Sequence, residues 1–196
     1  MDKNELPLGY SEKFKIDLKK NKRTSILVNA AAIILGVGMA VITLLYEPLT
    51  LFESVGSAFV TLLYMVLKVI VAMGGLVLCI SLHERIHGMF IKKFSGTEPS
   101  YGISGAYAYA GSTAYFQKTH YIIIALSPVV IIGIVLAVIT LFLPEGWFWY
   151  VYIIQIFNVA GAVGDIYVSL RILFQPKNVL VQDSGTEMTI YTQEGL

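Results

Sequence analysis

Two histidines four residues apart, with a glutamate directly after the first, form the run His83-Glu84-Arg85-Ile86-His87. On a helix, positions four apart stand on one face about a turn from each other, so the two imidazoles can close on a single metal ion. Imidazole nitrogens in that arrangement suit zinc. Glu84 is turned about 100° from His83, which sets its carboxylate beside such an ion rather than on it, placed to hold a water molecule and take its proton. The chemistry implied is hydrolysis by a metal-activated water. The sequence has only 3 histidines, and this run uses two of them.

Catalytic zinc takes three protein ligands and keeps one position open, so a third ligand has to come from elsewhere. The candidates are His120, Asp165 and the acids of the C-terminal tail. Depth decides between them. His83 and His87 lie roughly 8 to 14 Å along a helix from the basic pair Lys92-Lys93, and Asp165 lies roughly 9 Å from Arg171, at 1.5 Å per residue. His120 stands beside Lys118, nearer the headgroups, so Asp165 is the predicted third ligand. A lone carboxylate inside a membrane helix costs a few kcal/mol and calls for a partner. A zinc ion is one such partner; pairing with Arg85 or Arg171, or simple protonation, is the plainer alternative. On an unbroken helix Asn158, Gly161 and Asp165 share a face. Asn158 is then a candidate substrate contact, donating to a carbonyl or its oxyanion. Gly161 and Gly164 either let this helix approach the histidine-bearing one closely or serve ordinary small-residue packing. Arg85 reads as a snorkelling residue, and Gly88 as a close-packing position.

The elements that position these residues follow from composition. Of 196 residues, 56% are hydrophobic and 14% charged, with a mean hydropathy of +0.72. Soluble domains average about 25% charged residues, so this is an all-α membrane protein. A net charge of +1 without a basic face excludes a nucleic-acid partner. Cys79, the single cysteine, excludes an intramolecular disulfide and reads as a small buried hydrophobe.

Four transmembrane helices are predicted within a membrane domain over 25–175, between a polar lead-in (1–24) and a tail (176–196). Ser25 to Tyr46 is an uncharged run of the length that crosses a bilayer, about 20 residues, and too long for a secretory signal. Glu47 to Ser57 reads as an external connection. Ala58 to Phe90 is apolar but too long for one perpendicular span. In its simplest arrangement Lys68 snorkels to the outer interface, Val69 to Phe90 crosses, and Leu51 to Leu67 forms an interfacial helix. A tilted long helix with Lys68 paired inside is the alternative. Ser95-Gly96 supplies a helix stop. The glycine- and tyrosine-rich stretch from Gly96 to Lys118 suits a short β-ribbon, through its Tyr-Ala-Tyr-Ala alternation at 107–110, or a plain interfacial loop. Tyr121 to Leu143 is the third span, with Pro128 freeing a carbonyl and bending it. Trp147 to Leu173 is the fourth, opening on an aromatic belt. Within the tail, Val179-Leu180-Val181 and Met188-Thr189-Ile190-Tyr191 flank Asp183-Ser184-Gly185 as a hairpin. The basic residues flanking the spans, Lys92, Lys93, Lys118, Arg171 and Lys177 together with the lead-in, fall on one side. The positive-inside rule then places both termini in the cytosol and the histidines toward the cytosolic leaflet of the cell membrane.

H-E-x-x-H on a helix is the signature of metal-dependent peptidases. Set in the second main span, with Asn158 and Asp165 in the last and Ser127-Pro128 between, it resembles the small bacterial zincin membrane peptidases, and beyond them the site-2 group of intramembrane zinc proteases, over roughly residues 25 to 175. The glycines and the spacing between Asn158 and Asp165 depart from the site-2 pattern. The resemblance implies Zn²⁺ on His83, His87 and Asp165, Glu84 as the catalytic base, and Asn158 supporting a substrate that is a membrane protein or membrane-associated peptide. Two other classes stay open: a catalytically inactive metal-binding protein that binds partners, and a metal-ion carrier. The carrier is disfavoured by the bare outer halves of the spans.

Overall fold

Four stretches of the computed structural model are helices long and apolar enough to cross a membrane: Lys22–Leu44 (α1), Ala58–Ser95 (α2), Lys118–Phe142 (α3) and Glu145–Leu173. The last comprises a turn of 3-10 helix, Glu145–Trp147, then Phe148–Gly161 (α4) and Val163–Leu173 (α5). The structure describes residues 4–17, 20–51, 53–104, 107–185 and 187–193; the extreme ends of the lead-in and tail lie outside them. Large apolar side chains point outward along the helices, among them Ile34, Val77, Ile134 and Leu141. A contiguous apolar exterior of this kind marks a surface that meets lipid or a partner rather than water.

The interfacial helix expected over Leu51 to Leu67 is not formed. Residues 58–67 belong to α2, which runs unbroken for 38 residues, about 57 Å at 1.5 Å per residue. Lys68 explains the continuity. Its ammonium donates to the Gly146 carbonyl at 2.9 Å and to Glu53 Oε2 at 3.2 Å, and lies over the rings of Tyr64, Trp147 and Tyr150. With its charge met inside the protein and the residue 1% exposed, nothing draws Lys68 to the interface and nothing breaks the helix. The aromatic belt also faces inward: Trp149 Nε1 donates to the Pro48 carbonyl and the Tyr150 hydroxyl to that of Leu51. Those bonds pin the α1–α2 connection over this end of the bundle.

At the other end of α2, Gly96 adopts the left-handed conformation (φ 73°) and its N–H returns to Lys92, the stop that Ser95-Gly96 predicts. The ribbon follows as Ser100–Ser104 (β2) and Tyr107–Gly111 (β3), paired antiparallel with Tyr101 opposite Ala110. The tail hairpin is also present, as Leu180–Asp183 (β5) and Met188–Gln193 (β6). It does not stand alone. Tyr10–Ile16 of the lead-in (β1) pairs with β6, and Tyr115–Gln117 (β4) pairs with β5, giving a four-stranded antiparallel sheet in the order β1-β6-β5-β4. Phe116, Val181, Met188 and Ile190 from this sheet share a buried core with Ile91 of α2, Tyr121, Ile124 and Ala125 of α3, and Val168 and Ile172 of α5. Apolar burial of this sort is the main stabilising term in folding, and here it fixes the ends of the three helices that carry the site.

Candidate metal centre

α2 turns His83 and His87 to one face, their rings 4.8 Å apart between centroids and nearly perpendicular. α5 brings Asp165 to that face. Its Oδ2 lies 3.1 Å from His83 Nε2 and 3.7 Å from His87 Nε2, and one ligand atom from each of the three residues falls within 4.8 Å of the others. Zn–N and Zn–O bonds of about 2.0–2.2 Å in a tetrahedron set ligand atoms roughly 3.3 Å apart. Two neutral-capable imidazoles and a carboxylate at these separations therefore fit zinc with little rearrangement. The three side chains are 14%, 10% and 27% exposed, His83, His87 and Asp165 respectively, so the group is shielded but open on one side.

The orientation of His87 is set by α3. Pro128 has no N–H to give the carbonyl four residues earlier, and that carbonyl, Ile124 O, lies 2.8 Å from His87 Nδ1. An imidazole that donates from Nδ1 presents Nε2 unprotonated to a metal. Ser127 Oγ also donates to the same carbonyl. The sequence marks Pro128 as freeing a carbonyl; which side chain would take it is a long-range fact that spacing does not carry.

Glu84 stands at the edge of the group, half-buried, on the stretch of α2 against which β3 packs, with the Ala110 backbone nearby. The ribbon thus comes directly up to the residue expected to act as base. Its far end is held by the tail: the Ser112 N–H donates to the Asp183 carbonyl at 2.7 Å, the Asp183 carboxylate accepts the Tyr121 hydroxyl of α3, and Asp183 Oδ1 accepts the Gly185 N–H at 2.8 Å. Burial pushes the Asp183 carboxyl above its ordinary range. Close approach is required here, because a Cβ on Gly111 would stand 2.3 Å from the Ser184 carbonyl oxygen. Tyr121 and Asp183 are thus supporting residues that the sequence gives no reason to join.

Not every expected residue gathers at the centre. His120 stacks on Phe94 at 4.2 Å between ring centroids, away from the ligand group. Asn158 is 3% exposed and directs Nδ2 to the Val129 carbonyl of α3 at 3.2 Å and toward Gln155 Oε1 at 3.5 Å. The face that Asn158, Gly161 and Asp165 would share on one helix is interrupted, since α4 ends at Gly161 and α5 begins at Val163, with Ala162 at φ −80°, ψ 3°. Gly161 meets open space rather than α2. On α2 the close approaches of glycine are Gly75 to Ile154 of α4, and Gly88 to Tyr101 and Pro99, the latter bearing out Gly88 as a packing position.

A family model described as "Putative zincin peptidase" matches residues 76–180. The chain belongs to that zincin family. The matched region runs from the second half of α2 to the start of β5, and so takes in His83, Glu84, His87, Asn158 and Asp165. Membership implies a metal-dependent peptidase with zinc as its metal. The "Uncharacterized 24.7 kDa protein in gap 5'region" of Pyrococcus woesei is 33% identical over 120 residues, 58% of this chain and 51% of that protein. The chain therefore spans about half the length of that curated relative. No solved structure matches it.

Proposed function

We propose that the protein is a zinc-dependent membrane peptidase of the site-2 protease kind, cleaving peptide bonds within or beside the bilayer, with its centre on the cytosolic side of the cell membrane and both termini in the cytosol. The observation that carries this reading is the convergence of His83, His87 and Asp165, from two different spans, on one point beside Glu84. These three residues would hold the metal. Zinc held there would supply Lewis acidity toward a water and the scissile carbonyl. Glu84 would take the proton of the attacking water and return it to the leaving amine.

A peptide segment must be extended before it can be cut, because helical carbonyls are occupied by their own hydrogen bonds. β3, which packs against α2, would support that step by pairing with an extended substrate beside the ligand group. Asn158 enters through its acceptor: its donors are engaged on α3 and Gln155, while Oδ1 is buried without a partner among the described residues and would receive a substrate N–H. The substrate on this reading is a membrane protein or membrane-associated peptide.

The test is metal content and cleavage measured together on wild-type, Glu84→Gln, His87→Ala and Asp165→Ala proteins. Wild-type and Glu84→Gln should each carry one zinc, and the other two should lose it. Cleavage should fall about 10²- to 10⁴-fold in Glu84→Gln, the usual share of a general base. Undiminished cleavage by Glu84→Gln would remove the proposed base. A wild-type protein that binds zinc yet cuts no membrane peptide would leave the inactive metal-binding class.

A further inference from the structure

At the end of the bundle where α1 begins and α5 finishes, an open cavity of about 550 Å³ lies between the end of β1, residues 20–24 and α5. Pockets for small ligands run from about 300 to 1,000 Å³, so it has room for a polar headgroup. Its walls carry Lys15, Lys20, Lys22, Arg23 and Arg171 against one acid, Asp17. The positive-inside rule explains basic residues near span ends, but not their collection around one concavity.

The charge at this cavity is not balanced from within. Asp17 is engaged by Lys20, through the backbone N–H at 3.0 Å and the ammonium at 3.5 Å. Lys15 is met by Glu187 at 3.0 Å and Glu12 at 3.5 Å. Among the described residues no carboxylate pairs with Lys22, Arg23 or Arg171. Arg171 is held in place rather than free to turn away: its guanidinium lies 5.3 Å from the Phe14 ring and Nη1 reaches the Tyr167 hydroxyl at 3.4 Å. That leaves most of its five N–H donors for a ligand. The first turn of α1 contains no acid, so the positive end of its dipole adds to the same field.

We propose that this cavity binds the phosphate of an anionic phospholipid from the leaflet that surrounds this end of the bundle. A phosphodiester matches three unpaired cations and a helix N-terminus, and the cavity stands where two spans end, at the depth of headgroups. Lipid is the source favoured over a soluble phosphate because α1 and α5, whose ends form the walls, are clad in apolar side chains that acyl chains would cover. Tyr167 and Arg171 stand on the helix that bears Asp165, so an occupied cavity braces the C-terminal end of α5 against α1 and β1.

The experiment uses the full chain, purified in mild detergent from bilayers of phosphatidylglycerol and phosphatidylcholine, with retained lipid read by native mass spectrometry. Wild type should keep phosphatidylglycerol in preference to phosphatidylcholine. At about fivefold per basic residue near an anionic surface, Lys22→Gln with Arg171→Gln should cut that preference roughly 25-fold, while the charge-matched pair Lys92→Gln with Lys93→Gln should change it by no more than about twofold. Equal loss in both pairs means a diffuse field and overturns the proposal. Equal retention of the two lipids by wild type overturns it as well. Inorganic phosphate that displaces phosphatidylglycerol at equal concentration assigns the cavity to a soluble anion and overturns the lipid. If the double variant does not fold, a photoactivatable phosphatidylglycerol headgroup on wild-type protein decides: crosslinks to 20–24 and 167–171 support the site, and their absence removes it.

Discussion

His87 Nδ1 lies 2.8 Å from the carbonyl oxygen of Ile124, a carbonyl whose helical donor is missing because Pro128 stands four residues on. A proline within a helix ordinarily costs stability, about 3 kcal/mol. Here the freed acceptor sets the tautomer and tilt of a residue at the candidate centre, so a local defect in α3 becomes a constraint on α2.

That relationship predicts opposite effects of Pro128→Ala on binding and on stability. Alanine restores an N–H that reclaims Ile124 O within α3 and leaves His87 Nδ1 without its partner. Zinc affinity should fall about 10- to 100-fold, as for loss of other partners of metal-binding histidines, while the metal-free protein should melt no lower than wild type. Competition with a chromophoric chelator, beside a melt of chelated protein, checks both. An unchanged affinity would mean that the carbonyl does not orient the ring.

Gly88→Ala tests the seat of the ribbon. A Cβ there would stand 2.0 Å from the Tyr101 hydroxyl and 3.0 Å from Pro99, so the Tyr101 ring must leave its seat on α2 and loosen the contact of β2 with it. Overpacking of this kind costs about 1–3 kcal/mol. Hydrogen exchange across 100–111 should quicken and peptide cleavage should drop, with zinc content kept, because the tight contacts of the added methyl are with Tyr101 and Pro99. Loss of metal in step with cleavage would show that the ribbon and the ligand group are not separable.

The Asp183 carboxyl, raised above its ordinary value of 3.8 by burial, gives a pH dependence with a definite sign. For an acid whose folded pKa exceeds its unfolded one, the folded state binds more protons between the two values, so stability falls as pH rises through that window and stays lower above it. Asp183→Asn removes the charge while leaving an oxygen to accept the Gly185 N–H and turning Nδ2 to the Tyr121 hydroxyl, which then accepts where it had donated. The variant should therefore be at least as stable as wild type near neutral pH, and its advantage should shrink as pH falls toward 3.8. Melting curves of the metal-free proteins across that range decide; an advantage that grows on acidification would reverse the assignment.

The spans are legible because lipid leaves little choice: a segment that crosses needs about 20 apolar residues, and Ser25 to Tyr46 or Tyr121 to Leu143 advertise it directly. His83, His87 and Asp165 are legible because one helical turn and two depth markers, Lys92 and Arg171, fix them to a common level. β1 is not, although Phe14 and Ile16 alternate with Lys13 and Lys15, because the partner that gives this alternation meaning is β6, with Tyr10 opposite Gln193. The face that Asn158 would share with Asp165 is not legible for a local reason, the break at Ala162, where the flanking Gly161 and Gly164 lower the propensity of the helix to continue. The length of α2 fails for the opposite reason, since the groups that satisfy Lys68 are scattered over Glu53, Tyr64, Gly146, Trp147 and Tyr150.

Lys68 can be separated from the metal centre by experiment. It lies 15 residues before His83, about 22 Å along α2, and its contacts are with the α1–α2 connection and the turn before α4. Lys68→Met keeps an unbranched side chain but strands the partly buried Gly146 carbonyl, a loss of about 1–3 kcal/mol for an acceptor shielded from water without its donor. Glu53→Gln should cost under about 1 kcal/mol, because that side chain is 52% exposed and water replaces the ion pair. Both proteins should bind zinc as wild type does. The ordering is what carries the argument: if Glu53→Gln were as costly as Lys68→Met in a denaturation series, the ion pair and not the carbonyl and aromatic faces would be what holds Lys68 inside, and the continuity of α2 would rest on an exposed acid.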